Sequence, residues 1–389
     1  MKNLTRLTAI FFFIISLTTL PVTASAASLG ASIKVGVVLP MTGNNAFDGR
    51  LTLEGIKLAI EEINGRGGVN GKTKIELVIM DSRGIPAEAV SVMEKLVNVD
   101  KVSAVLGDFG SSCTLAMAPV AQREKTPLIT PISMAPKLTK QGNNFVFRTA
   151  DNSEINARAF VQMATDDLKI KNWAFIGVND DYGRGSVEAF IPQVKQKGGK
   201  VVYSEYYEHG ENDYYTLLTK LKSTDAEGLC LFGQVQDLSR LINQLAELGL
   251  DKKVKVMDPT SGLLSQQFLD LTKGRAAGLI GSNTFVDVLD TPKAKTFVTA
   301  YKANYGYGPQ KYANAGYLAS YILAESIARA GSDDRQAIRD ALTKTDFEGT
   351  TGRVTFDKNN QLIQPEWLIA IRQDSTFAII GGPVTVSTE

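Results

Sequence analysis

The chain has 389 residues, of which 44% are hydrophobic and 21% are charged, and its formal net charge is +1. This is the composition of a globular protein with room for two domains. The near-neutral charge, without a basic stripe, argues against nucleic acid and anionic membranes as partners. One histidine, in the polar loop around position 209, and two cysteines exclude a thiolate zinc site and disfavour nucleophilic catalysis. We therefore expect no enzymatic activity, no metal and no cofactor.

The first 26 residues have the pattern of a secretory signal peptide. Lys2 and Arg6 precede an apolar run over residues 9–20, and small residues at 24–26 form a cleavage site. The apolar run is shorter than the roughly 20 residues that span a bilayer, so a membrane anchor is the weaker alternative. No cysteine near the cleavage site suggests a lipid anchor. The sequence thus predicts cleavage after Ala26 and export to a periplasm.

Apolar runs alternate with helix-like segments through the first part of the mature chain. The predicted strands cover 33–39, 74–80, 102–106 and 127–130, and the predicted helices cover 49–64, 86–99 and a segment that starts at the serines of positions 111 and 112. Strands that are apolar nearly throughout are typical of a parallel sheet covered by helices on both faces. This region therefore predicts one α/β lobe.

The alternation then starts again and finally breaks. The second series has predicted strands at 145–148, 173–178, 201–206, 228–232 and 254–257, and predicted helices at 153–168, 182–197, 213–221 and 236–248. Because a single sheet with this many strands is improbable, we expect a second α/β lobe. Three consecutive predicted helices (291–304, 312–329, 333–342) precede strands at 353–356, 367–372 and 377–380. Such helices cannot build a third parallel sheet, so we expect them to cover an existing lobe.

Two serines stand where a predicted strand turns into a helix, in the stretch GDFGSSC of residues 107–113. Serine is a favoured N-cap because its oxygen accepts a backbone N–H of the first turn. A helix N-terminus also presents free N–H donors that bind a carboxylate or phosphate well. The residues alone leave both interpretations of Ser111 and Ser112 open.

Six segments, in the same order and spread over the mature chain, resemble the type I periplasmic solute-binding proteins of ABC transporters, specifically the leucine/isoleucine/valine-binding branch. They are IKVGVVLPMTG, GIKLAIEEINGRGGVNG, GSSCTLAMAPVAQREKTPLITPISMAPKLT, FRTADNSEINARA, NDDYGRG and TGRVTFDKNNQ. The resemblance implies an α/β fold of two doubly wound parallel-sheet lobes joined by a three-segment hinge. It also implies that a small ligand binds in the interlobe cleft and that the lobes close over it.

The same resemblance implies where the chain changes lobe. The crossovers fall near Thr149, Phe285 and Thr351. Lobe 1 would then comprise residues 30–149 and 287–349, and lobe 2 residues 150–286 and 352–389. This division puts Cys113 and Cys230 in different lobes, so we expect both thiols to be unpaired.

For lobe 1, the resemblance implies a site for the ligand carboxylate. Ser111 and Ser112 match the turn whose backbone N–H groups and hydroxyl hold that carboxylate in relatives. The second contact is the turn Ile132-Ser133-Met134, where relatives carry a threonine at the position of Met134. Methionine cannot supply the threonine hydroxyl, although backbone contacts can survive the change.

For lobe 2, the resemblance is less complete. Relatives that bind α-amino acids place an acidic residue for the ligand ammonium where this chain has Ser261, and Asp258 is the nearest candidate substitute. Gln234 stands where some relatives have an aromatic residue. Tyr182 matches a tyrosine that closes over the ligand, and Phe47 is a further aromatic contact.

These departures leave the ligand open between two classes. A buried ammonium without a paired charge costs several kcal/mol. Unless Asp258 substitutes for the missing acid, a carboxylate or amide with an apolar or aromatic body, packed on Ile132, Met134 and Phe47, fits better than an amino acid. We expect a monomeric receptor that delivers its ligand to ABC permease subunits. The alternative is the ligand-sensing component of a signalling receptor.

Overall fold

The computed structural model describes residues 29–140, 142–260 and 262–386. The predicted signal peptide and Ser261 lie outside these residues. The strands, in chain order, are β1 (Ser32–Leu39), β2 (Lys74–Asp81), β3 (Ala104–Gly107), β4 (Leu128–Thr130), β5 (Val146–Arg148), β6 (Asn172–Val178), β7 (Lys200–Tyr207), β8 (Gly228–Phe232), β9 (Lys255–Asp258), β10 (Ile280–Asn283), β11 (Asp346–Gly349), β12 (Gly352–Phe356), β13 (Leu362–Ile363), β14 (Glu366–Ile371) and β15 (Phe377–Val384).

The α-helices alternate with most of these strands. They are α1 (Ala46–Gly65), α2 (Pro86–Asn98), α3 (Ser111–Arg123), α4 (Lys137–Lys140), α5 (Ser153–Leu168), α6 (Asp181–Gln196), α7 (Tyr215–Lys222), α8 (Val235–Glu247), α9 (Gln266–Thr272), α10 (Pro292–Tyr305), α11 (Lys311–Ala330) and α12 (Arg335–Leu342). Short polar side chains begin several of them: Asn152 accepts hydrogen bonds from the backbone at the start of α5, and Thr291 does so for α10. Helices α3, α8 and α11 begin without such a side-chain bond.

The first sheet is wholly parallel and has the strand order β2-β1-β3-β4-β5. Successive side chains of a strand point to opposite faces. Val37 therefore belongs to the core cluster shared with α1, α11 and α12, and Val38 to the cluster shared with α2 and α3. Helices on both faces explain why these strands are apolar nearly throughout. The first sheet with its helices is called the first lobe below.

The second sheet has the order β15-β14-β10-β9-β8-β6-β7 and forms the second lobe. Its strands from β6 to β10 are parallel, and β14 and β15 are antiparallel additions at one edge. Ile176 of β6 packs in the cluster shared with α7, α8 and α9, and Phe175 in the cluster shared with α5 and α6. Two doubly wound lobes are thus present, as the sequence predicts.

The last crossover differs from the predicted position. The sequence-based division assigns all residues after 351 to the second lobe, but β11, β12 and β13 form a small sheet of their own. Val354 and Leu362 are buried in the first-lobe core, and Phe356 packs on Phe147 with ring centroids 5.3 Å apart. Because this apolar face is covered only by the first lobe, the chain passes to the second lobe at 364–365 and not near Thr351. The other passages lie between β5 and α5 and between β10 and α10.

Two glycines bring α1 and α11 into close contact. A Cβ atom on Gly55 would lie 1.8 Å from the carbonyl oxygen of Ala313, and one on Gly316 would lie 2.2 Å from that of Thr52. The helices therefore pack backbone to backbone, which only glycine allows at these positions. This contact fixes where α11 begins, at the edge of the cleft between the lobes.

Candidate functional site

A cavity of about 240 Å³ lies between the two lobes, at the carboxyl ends of their strands. Open α/β sheets bind ligands at this end because the strand-to-helix turns converge there. The first lobe contributes the residues after β3 and β4 and the start of α11, and the second lobe contributes those after β6, β8 and β9. Of the residues proposed from sequence, Ser111, Ser112, Ile132, Ser133, Met134, Tyr182 and Gln234 line this cavity.

Helix α3 points its N-terminus into the cavity. Its N-cap is Gly110, which has no side chain, and the two serines occupy the first two helical positions. Ser112 Oγ donates to Asp181 Oδ2 across the cleft at 3.0 Å, and Ser111 Oγ accepts from Ala135 N at 3.2 Å. Neither hydroxyl caps its own helix. The backbone N–H groups of the first turn have no acceptor within the helix, so this helix end can bind an anion.

The neighbouring turn of residues 131–135 is held by buried polar contacts. Ser133 Oγ donates to the carbonyls of Asp108 and Phe109, each at 3.2 Å. Arg148, fully buried, donates from its guanidinium to the carbonyl of Ala135 at 2.7 Å, and burial lowers the pKa of Arg148 to about 9. Because satisfied buried networks are rigid, this turn is preorganised beside α3. Ile132 and Met134 supply the apolar surface.

The second lobe provides the opposite wall. The hydroxyls of Tyr182 and Thr260 form a hydrogen bond of 2.6 Å, and burial raises the pKa of Tyr182, which therefore stays neutral. Gln234 is the N-cap of α8 and lines the cavity. Its side chain makes no hydrogen bond that caps the helix. These side chains offer hydrogen bonds and a ring surface, without charge.

His209 also lines the cavity, and the sequence analysis did not select it. Its ring nitrogens lie 3.1 Å from Asp180 Oδ2 and 3.3 Å from Asp237 Oδ2. These hydrogen bonds, that to Asp180 first, raise the pKa of His209 to about 9. The imidazolium and Asp180 thus neutralise each other at the mouth of the cleft.

Asp258 is buried but does not line the cavity. Its Oδ1 accepts from Thr260 N at 3.1 Å and from Thr260 Oγ1 at 3.0 Å, and its Oδ2 accepts from Leu263 N at 2.6 Å. Burial raises its pKa. Both carboxylate oxygens therefore shape the loop that follows β9. Ser261, in the middle of that loop, is outside the described residues, and the ammonium-binding role considered for Asp258 stays a prediction.

Phe47 lies on a neighbouring cavity of about 500 Å³ and not on the one that the serines line. The guanidinium of Arg50 stands 5.0 Å from the centre of its ring. Lys311 lies on the wall of both cavities. The contact predicted between Phe47 and the ligand therefore stays a prediction.

Lys311 and Tyr312, the first two residues of α11, are functional candidates that sequence reasoning missed. The ammonium of Lys311 donates to the carbonyl of Thr260 in the opposite lobe. Tyr312 packs edge-on against Phe109, with ring centroids 5.1 Å apart. Nothing in the local sequence marks these residues, because folding alone brings position 312 beside position 109 and position 311 beside position 260.

Metal binding, disulfide bonding and membrane insertion can each be checked in the part of the chain that the structure describes. No group of three or more His, Cys, Asp or Glu residues could hold a metal ion. Cys113 and Cys230 are free and buried, as the sequence predicts. Among the helices of residues 29–140, 142–260 and 262–386, none has the length and apolarity needed to cross a membrane.

Comparisons with known proteins agree with this geometry. A family described as periplasmic binding protein matches residues 32–376. The leucine-, isoleucine-, valine-, threonine- and alanine-binding protein of Pseudomonas aeruginosa is 29% identical over 339 residues, which are 87% of this chain and 89% of that protein. The branched-chain amino acid transporter substrate binding protein LivJ of Streptococcus pneumoniae, solved with isoleucine, has a TM-score of 0.82 and 28% identity, over 91% of this chain and 100% of that one. A leucine binding protein of Thermotoga maritima has a TM-score of 0.83 and 28% identity, over 90% and 98%.

Proposed function

The chain belongs to the periplasmic binding protein family, and on that premise we propose that it captures a small carboxylate-bearing ligand, an amino acid or a related compound, for an ABC importer. The proteins it resembles are named as amino acid-binding and transporter substrate-binding proteins and not as enzymes. The ligand binds in the interlobe cleft. Its carboxylate accepts hydrogen bonds from the backbone at the start of α3.

The observation that carries the proposal is the N-terminus of α3. It opens on the cavity, its N-cap is a glycine, and both serine hydroxyls are engaged elsewhere. Helix α3 has 13 residues, and its N-terminus presents several N–H groups and the positive end of the helix dipole to one place. A carboxylate is the common small-molecule group that satisfies these donors.

Three contacts between the lobes support capture by hinge closure. Asp181 of the second lobe accepts from Ser112 and pairs with Lys137 at 3.2 Å, and Lys311 donates to the carbonyl of Thr260. These contacts hold the lobes together on either side of the cavity, so separating the lobes would widen access to it. The three chain passages between the lobes serve as the hinge.

The proposal extends to location and partners. A periplasmic site follows from the family, and export depends on the signal peptide predicted over residues 1–26, which lies outside the described residues. We propose that the closed, liganded monomer docks on the permease subunits of the importer. A role as the sensing component of a signalling receptor is the alternative, because the same fold serves both.

The identity of the ligand within this class has a second candidate. The loop after β9 engages both oxygens of Asp258, and Asp180 faces His209. These contacts favour a carboxylate or amide that carries no ammonium over a branched-chain amino acid.

The experiment is a thermal-shift titration of mature protein that has been unfolded and refolded to remove carried-over ligand. The panel contains aliphatic and polar amino acids, aromatic carboxylates, dicarboxylates and amides, each carboxylate beside its methyl ester. A bound ligand at about 100 times its Kd adds about 2.7 kcal/mol to the free energy of unfolding. We expect free acids to raise the melting temperature and their esters not to, because the ester removes the charge.

A pair of variants locates the bound carboxylate. Ser112→Asp places a negative charge at the second position of α3, where it repels an anion in the cavity, and Ser112→Asn is the neutral control of similar size. We expect the aspartate to abolish the thermal shift and the asparagine to preserve most of it. Equal stabilisation by acid and ester, or an unchanged shift with Ser112→Asp, would refute the carboxylate site.

A further inference from the structure

Lys311 is the one lysine or arginine on the wall of the cleft cavity among the described residues. It stands at the first position of α11, whose N-cap Gln310 makes no side-chain cap bond. The close packing of α11 on α1 through Gly55 and Gly316 fixes this position. The cavity wall therefore carries a lysine ammonium and the N-terminus of α11 besides that of α3.

The ammonium of Lys311 keeps hydrogen-bonding capacity for a ligand. It has three N–H donors, and one of them goes to the carbonyl of Thr260. Burial lowers its pKa, and the nearby carboxyl groups of Asp151, Asp258 and Glu366 act in the opposite direction and favour the charged form. Hydrogen bonds from a charged donor to a carboxylate are the strongest that such a group makes.

Among the described residues, a ligand ammonium finds no comparable partner on the cavity wall. Asp180 is the one carboxylate on the described cavity wall, and both its oxygens are engaged: Oδ1 accepts from Gly183 N at 2.8 Å, and Oδ2 faces His209 at 3.1 Å. Asp258 holds its own loop. An α-ammonium in the cavity would therefore lie beside the Lys311 ammonium and would find no unengaged carboxylate on the described wall to pair with.

The two positive features are neighbours in space. Phe109, just before the N-cap of α3, and Tyr312, at the second position of α11, contact each other with ring centroids 5.1 Å apart. An elongated small molecule in a cavity of about 240 Å³ can reach both helix starts along these two rings. The rings then pack against its apolar middle.

We infer that the ligand carries a second carboxylate in place of an ammonium, and that Lys311 is the side chain that selects it. The inference rests on the proposed function, since it assigns the first carboxylate to α3. One carboxylate accepts from the α3 backbone and the other from the Lys311 ammonium. A short dicarboxylate without an amino group is the class that satisfies both.

The test compares ligands of equal length on the ligand-free mature protein by calorimetry. For chains of four to seven carbons, the series contains the dicarboxylate, the monocarboxylate and the α-amino acid. We expect one dicarboxylate to bind at least about tenfold more tightly than its monocarboxylate and its amino acid, as one charge-assisted hydrogen bond accounts for. Lys311→Met should bring the ratio of dicarboxylate to monocarboxylate close to one by weakening the dicarboxylate alone.

Lys137→Met is the matched control, because Lys137 also joins the first lobe to the second, at Asp181, but lies outside the cavity. It should leave the ratio unchanged. The inference is overturned if the amino acid binds best to the wild type, or if Lys311→Met weakens all three ligand classes equally, as loss of a closing contact would. Binding of amino acids alone would spare the proposed function, whereas binding of no carboxylate would refute both. If Lys311→Met does not fold, the wild-type ratio still decides.

Discussion

The polar groups on the two sides of the cleft differ in whether they already have hydrogen-bond partners. On the first-lobe wall, the N-terminus of α3 directs N–H groups without helical acceptors at the cavity, while its serine hydroxyls are engaged elsewhere. In the second lobe the carboxylates already have partners: Asp180, on the cavity wall, faces His209, and Asp258, which does not line the cavity, holds its own loop. The first lobe therefore presents N–H donors without acceptors to the cavity, whereas the carboxylates of the second lobe already have partners.

This difference separates residues that bind from residues that hold a binding surface in place. A preorganised donor needs no rearrangement when an anion arrives, so the interaction is gained in full. A carboxylate whose hydrogen bonds hold it in its own loop must lose some of them before it can turn toward an ammonium elsewhere. An acidic residue near a site is therefore weak evidence for a cationic ligand until its existing partners are known.

Replacing Asp258 should have the largest effect on stability among the variants that test this difference between the walls. Asp258→Ala leaves the buried N–H groups of Thr260 and Leu263 without their acceptor, so we expect the free energy of unfolding of the ligand-free protein to fall by about 2–4 kcal/mol. Asp258→Asn retains one acceptor oxygen and should lose about half as much. Urea unfolding measures both. If stability is unchanged while amino acid affinity falls, Asp258 faces the ligand and the contrast between the walls is wrong.

Replacing the two serines should change the free energy of unfolding by less and tests which hydroxyl holds the binding turn. Ser111→Ala removes the acceptor of the buried Ala135 N–H and should cost about 1–2 kcal/mol in urea unfolding. Ser112→Ala removes a partly exposed bond across the cleft and should cost less than about 0.5 kcal/mol. Equal losses in the two variants would show that the hydroxyl of Ser111 does not hold the binding turn.

The smallest expected effect concerns His209, which should be charged on the second wall at neutral pH. Its folded pKa, raised to about 9 by Asp180 and Asp237, stands above the unfolded value of 6.5. The extra stability is therefore complete below pH 6.5 and is lost as the pH rises to 9. Because more than a third of the side chain is exposed, we expect less than about 1 kcal/mol.

His209 is the one histidine of the sequence, so a tag-free sample gives a single imidazole titration by proton NMR. A midpoint near 6.5 would contradict the ion pairs of His209 with Asp180 and Asp237. His209→Gln should flatten the dependence of stability on pH between 6.5 and 9, and Lys137→Met, which changes an exposed ion pair elsewhere, should not.

Local pattern determined most of the elements. Helix α5 and strand β8 have the bounds predicted from sequence, because a buried strand is uniformly apolar and a helix repeats its apolar positions. Strands β10 and β11 were not predicted. β10 reads IGSN and β11 reads DFEG, compositions of low strand propensity that become strands through pairing with neighbours.

The residues of the candidate site also divide into those that were predicted from the sequence and those that were found only in the structure. Seven of the ten residues chosen from sequence lie on one cavity, and six of the seven belong to segments whose order and spacing match a family. Phe47 lies on the adjoining cavity, Asp258 turns into its loop and Ser261 is outside the described residues. Lys311 and His209 were missed because a lysine at a helix start or a histidine in a polar loop has no distinctive local signal.

Two α/β lobes, the serine turn at the start of a helix and the family could be predicted from the sequence, since these depend on periodicity and on short contiguous motifs. Which polar groups keep hydrogen-bonding capacity for a ligand depends on contacts that form when the chain folds. Whether Asp258 can meet a ligand depends on Thr260 and Leu263, and whether Lys311 can depends on the glycine contact between α1 and α11. Whether a polar group can bind a ligand depends on the partners that it already has. These partners lie far apart in the sequence and become neighbours only when the chain folds.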